Sequence, residues 1–229
     1  MQVNYVVPLG CKCQLTYQLR RYFNFATAFP FDWWVTNMRG VIDTLEGKDP
    51  YGDLVETVME NSGLLGAPRS SDYNIEIHHE FPRGPQLSET DNTHPVLPDW
   101  RDHIGEARAR FNYLYARLLS LNTESSTILF VRHKGNVAPS ENLTLAGNPA
   151  SIDELIGCVN SIFTRSNNQF LLINTPTSES GVALSVDDNE LRSWRGEIDN
   201  WNAALPGSGF VLDNPSLKPF RHSKTWEAW

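Results

Sequence analysis

The sequence predicts an α/β fold, a single three-layer domain over residues 1–229 with a mostly parallel central sheet. Three observations carry this. Short apolar runs alternate with stretches of helical periodicity, glycine and proline fall between them, and no internal repeat interrupts the order.

Residues 4–9 form an apolar run that stops at Gly10, after which Leu15, Leu19 and Tyr22 recur at helical spacing: strand, turn, helix. Residues 23–36 are crowded with aromatics and hold Pro30, which reads as a packed loop. Residues 41–45 and 54–59 read as short helices, and 73–77 alternates like a second strand running into His78, His79 and Glu80. After a loop over 82–98, Ile104, Ala107, Phe111, Leu114 and Leu118 mark one face of a long helix, and 127–131 is a buried strand. A loop from Gly135 to Pro149 follows. Ser151 with Glu154 is a capping box opening the next helix, and 170–173 is another buried strand. Asp187 with Glu190 repeats the capping pattern before Leu191, Trp194, Ile198 and Trp201, and 210–212 is a last short strand.

Composition narrows the function classes. The formal net charge is -8, with acidic and basic residues mixed along the chain, so no concentrated basic face is offered to a phosphate backbone and nucleic acid is not an expected partner. The first nine residues lack a basic start and a long apolar stretch, and no run reaches the ~18 apolar residues of a membrane span. Pro8-Leu9-Gly10-Cys11 resembles a lipoprotein cleavage site only in passing, because nothing upstream could insert. Three cysteines are too few for a disulfide framework, which suits a reducing cytoplasm.

In parallel sheets ligands bind beyond the carboxyl ends of the strands. The residues expected there are Gly10 to Cys13, His78 to Glu80, Arg132 with His133, Asn174 with Thr175, and Asp213 with Asn214. A cysteine attacks as thiolate, and a free thiol with a pKa of about 8.5 is mostly protonated at neutral pH. A place in the first turn of a helix lowers that value, and Cys13 has such a place. His79 is the expected base, with His133 and His222 as alternatives, while Asp32, Glu80 and Asp213 could orient the imidazole. His94 and His103 read as surface histidines. Arg132 and Asn174 are expected to bind substrate, as are His133 and Trp33, although Trp33 and Trp34 would equally suit a core. Cys11 and Cys13 could form half of a zinc site, but no second pair of zinc spacing exists beyond adjacent His78 and His79, so no metal is expected.

Leu9-Gly10-Cys11-Lys12-Cys13, Leu19-Arg20, Pro30-Phe31-Asp32-Trp33, His79-Glu80-Phe81 and Phe130-Val131-Arg132 occur in that order. Together they resemble the bacterial family of papain-like cysteine peptidases, a domain family of largely unknown function. The resemblance implies that the family cysteine falls on Cys13 and the family histidine on His79. Pro8 stands where that family has serine, and Glu80 where it has aspartate. Papain-like enzymes pair a helical half with a β-barrel half, and that two-lobed fold is the alternative to the parallel sheet. The resemblance also extends to capsule-biosynthesis acyltransferases that bind coenzyme A.

Two functions follow. One is a cysteine-dependent hydrolase or acyltransferase with a Cys13–His79 dyad, acting on a small-molecule, peptide or glycan substrate. It requires no cofactor, with coenzyme A as a candidate acyl donor. The other is a binding module that keeps the crevice without the chemistry and holds an anionic or carbohydrate ligand.

Overall fold

The computed structural model describes residues 1–55, 66–70, 75–77, 79–85, 94–134, 149–175, 177–187 and 195–221. The chain opens with β1 (Gln2–Val3) and β2 (Tyr5–Pro8), turns at Gly10 and enters α1 (Cys13–Phe23). There follow β3 (Trp34–Thr36), α2 (Met38–Leu45), β4 (Leu54–Val55), β5 (Arg69–Ser70), β6 (Ile75–Ile77) and α3 (Ile104–Leu119). The remainder is β7 (Thr127–His133), α4 (Ile152–Ile162), β8 (Asn167–Ile173), β9 (Val182–Leu184), α5 (Ile198–Ala204) and β10 (Val211–Leu212).

The expected parallel sheet is present, in the order β2-β7-β8-β9 with every pairing parallel. At one end β1 pairs in parallel with β10. Side chains alternate across a strand, so each strand feeds two cores. Val6, Leu129, Val131, Leu171 and Ile173 pack with Leu15 and Leu19 of α1 and Trp201 of α5. The neighbours Val7, Ile128, Phe130, Phe170 and Leu172 pack on the other side with Leu118 of α3 and Ile156 and Val159 of α4. That alternation is the physical basis of the three layers.

The helix boundaries have local causes. Asn24 takes a left-handed conformation (φ 54°) and closes α1 by donating its N–H to Arg20 O. The capping box at α4 is formed: Ser151 Oγ accepts from Glu154 N at 3.1 Å and Glu154 Oε2 accepts from Ser151 N at 2.6 Å.

A second, antiparallel sheet was not expected. Its order is β3-β6-β5-β4, and it lies between β2 and β7 in the chain. It corrects three sequence expectations. Trp34 to Thr36, the end of the expected packed loop, form β3. Leu54 and Val55, the start of an expected helix, form β4, while 56–59 lie outside the described residues. The strand ending at Ile77 belongs to this sheet and runs antiparallel to β3, so it does not end on the edge of the parallel sheet. Trp34, Ile75 and Ile77 nevertheless join the same apolar core as Val7 and Phe130, which fuses the two sheets. Of the expected helix carrying Leu191, Trp194, Ile198 and Trp201, the part over Ile198–Ala204 is α5, and 188–194 lie outside the described residues.

Candidate functional site

The helix after β2 covers one face of the parallel sheet and the helix after β7 covers the other. Adjacent parallel strands whose connections leave in opposite directions open a crevice between their carboxyl ends. Leu9 to Cys13 line one side of this switch point, and Arg132 to Lys134 the other.

Cys13 is the first residue of α1 and is partly exposed. Lys12 caps the helix in an extended conformation with no side-chain cap, and no acidic residue occupies the first turn. The positive end of the helix dipole therefore meets no carboxylate of that turn. Cys11, two residues earlier, is fully buried, and its carbonyl accepts from Thr36 N at 2.9 Å.

Gly10 has φ +73°, where other residues are strained, and a Cβ there would overlap Thr36 Oγ1 and sit 3.3 Å from Arg132 Nη1. Its peptide bond to Cys11 is cis. Arg132, 1% exposed, donates from Nη1 to Leu9 O at 2.7 Å and to Thr36 Oγ1 at 3.3 Å. Nη2 donates to Thr36 O at 2.9 Å and Nε to Lys134 O at 3.1 Å. Burial pulls this guanidinium down to about 10, which leaves it charged at neutral pH.

His79 enters from the antiparallel sheet. Trp34 lies opposite Ile77 and Thr36 opposite Ile75, so β3 has its Thr36 end on the cysteine turn and its Trp34 end on the segment that delivers His79. The His79 ring meets Trp33 edge-on, with centroids 5.7 Å apart. The Arg20 guanidinium lies 5.5 Å from the Trp33 ring, seven residues along α1 from Cys13 and thus on the same helix face. Trp33 is half-buried, whereas Trp34 is wholly buried in the core.

Of the three carboxylates expected to orient the imidazole, Asp213 is exposed, and Asp32 and Glu80 have other partners. Asp32 is buried and ion-paired with Arg20, and it accepts from Phe29 N at 2.9 Å. Burial pushes its carboxyl up, while Arg20 and the Phe29 amide favour the charged form. Glu80 accepts from Trp34 Nε1 at 3.2 Å, beside Tyr51. Burial raises this carboxyl above its ordinary value.

The expected ligand contacts also have structural work. Asn174, with φ +50°, donates its amide to Val186 O at 2.7 Å and accepts from Val186 N at 2.8 Å, which ties together the segments just past the carboxyl ends of the parallel strands β8 and β9. His133 is fully buried and meets Trp201 edge-on at 5.3 Å, on the sheet face opposite Arg132. His78 and His222 lie outside the described residues.

Sequence reasoning missed Arg20 as the partner of Asp32 and Thr36 as the partner of Arg132. An arginine on the same helix as the apolar Leu15 and Leu19 was the one available signal for the first; Thr36 had none. Among the described residues no group of three or more His, Cys, Asp or Glu side chains gathers as a metal site would require, and no helix is long and apolar enough to cross a membrane. No family model, curated protein or solved structure matches this chain.

Proposed function

We propose that the protein is a cysteine-nucleophile acyl-transfer enzyme. The observation that carries this reading is Cys13 itself: a partly exposed cysteine at the first position of α1, beside the switch point where the connections of β2 and β7 part.

The Cys13 sulfur, as thiolate, attacks an acyl carbon and forms a thioester, while His79 hands a proton to the departing amine, alcohol or thiol. Water or an acceptor nucleophile then attacks the thioester, His79 takes its proton, and the acyl group leaves as acid, ester or amide with the Cys13 thiolate regenerated. Hydrolase and acyltransferase differ only in the second acceptor. A peptide, a glycan or a small molecule could each be acylated or cleaved in this way, and coenzyme A thioesters are natural donors for it. The order of cysteine before histidine, shared with papain-like enzymes, supports the same reading.

The test is intact-mass measurement after exposure to p-nitrophenyl acetate and to acetyl coenzyme A. One acetyl group should appear on the peptide carrying Cys13 and be absent from a folded Cys13→Ser variant. His79→Ala should slow both formation and discharge of the adduct, about 100-fold or more for a general base. An unmodified Cys13 with every donor would leave the binding module as the better reading.

A further inference from the structure

Arg132, expected to grip an anionic ligand, donates to main-chain oxygens and to the Thr36 hydroxyl. Three nitrogens of one planar fork reach Leu9 at the end of β2, Thr36 at the end of β3 and Lys134 just past β7. The acceptors come from three chain segments. The Cys11 carbonyl is drawn to the same place by Thr36 N. Main chain on both sides of Gly10 is thus fixed from the Arg132–Thr36 side, and α1 starts three residues later.

We infer that Arg132 is a positioning residue for Cys13: by joining the carbonyls of Leu9, Thr36 and Lys134 it sets the turn that places the sulfur at the helix N terminus. This deepens the reading of Cys13 as nucleophile and rests on it. A lysine has the charge but one nitrogen, and cannot span three acceptors that a rigid fork reaches at once. Gly10 belongs to the same device, because any larger residue would press on Thr36 and Arg132.

The test follows the rate of iodoacetamide alkylation of Cys13 against pH, by peptide mapping, in the wild type, Arg132→Lys and Thr36→Val. Each variant is checked for folding by near-ultraviolet circular dichroism. Cys158, which burial pushes up to about 11, is the internal control and should stay slow in all three. In Arg132→Lys the midpoint for Cys13 should rise by about one unit, so that its rate at mildly acidic pH falls roughly tenfold. Thr36→Val, which removes one acceptor only, should move it less and in the same direction.

A wild-type profile in both folded variants overturns the inference alone. If Arg132→Lys does not fold, Thr36→Val decides: an upward shift supports the inference, and an unchanged profile overturns it. An ordinary thiol profile in the wild type removes the nucleophile, and this inference with it.

Discussion

Two arginines are each 1% exposed, and their surroundings differ in kind. Arg132, at the end of the parallel sheet, spends its fork on neutral main-chain and hydroxyl oxygens from three segments. Arg20, on the flank facing the antiparallel sheet, is ion-paired with Asp32, donates to Thr27 O at 3.2 Å and lies against Trp33. The first arginine shapes backbone, and no other side chain can be exchanged with it to compensate its loss. The second belongs to a pair, and a pair can be replaced as a pair. The difference teaches that burial of a charge has two uses here: one sets the cysteine turn, the other anchors the aromatic segment that touches His79.

The largest expected effect is Arg132→Met. Four bonds from a charged donor disappear and leave buried carbonyls behind, which should cost about 5 kcal/mol of unfolding free energy in urea titration. A loss no greater than that of Arg20→Met would break the comparison.

Next comes the Arg20–Asp32 pair. Arg20→Met or Asp32→Leu alone strands a buried charge and should cost about 3 kcal/mol, whereas the double variant should recover to within roughly 1 kcal/mol of wild type. Additive losses in the double variant would show that Arg20 matters through Thr27 and Trp33 rather than through Asp32.

The smallest effect extends the comparison to Glu80, a buried carboxyl beside Trp34 and Tyr51. Its folded value is raised by burial, so its contribution to stability is fully present in acid and is lost as pH rises through the folded value. Glu80→Gln should therefore be more stable than wild type at neutral pH and converge with it in acid, as read from melting temperature against pH. The opposite slope would mean that the carboxylate is stabilised as an anion.

Legibility followed the length of the elements. β7 and β8 are seven residues each and central, and their apolar stretches over 127–131 and 170–173 are visible in the residues themselves. The Ser151–Glu154 box announced α4 because its chemistry is local. By contrast, β3 has three residues and β4 and β5 two each, too few to show a period of two. Their strand character comes from pairing, and pairing partners lie tens of residues away.

The candidate site divides in the same way. Cys13 at a strand-to-helix turn was readable because a strand, a glycine and a helical repeat are neighbours in sequence. The delivery of His79 by an antiparallel strand was not readable, nor was the pairing of Arg20 with Asp32 or the fork of Arg132 on Leu9, Thr36 and Lys134. The sequence by itself determined the alternation, the parallel core and the helix that begins at Cys13, since periodicity and capping act over a few residues. Only the tertiary structure decided which of the expected site residues are engaged by the backbone. That choice depends on carbonyls and carboxylates that packing brings into a dry interior, where each must find a donor.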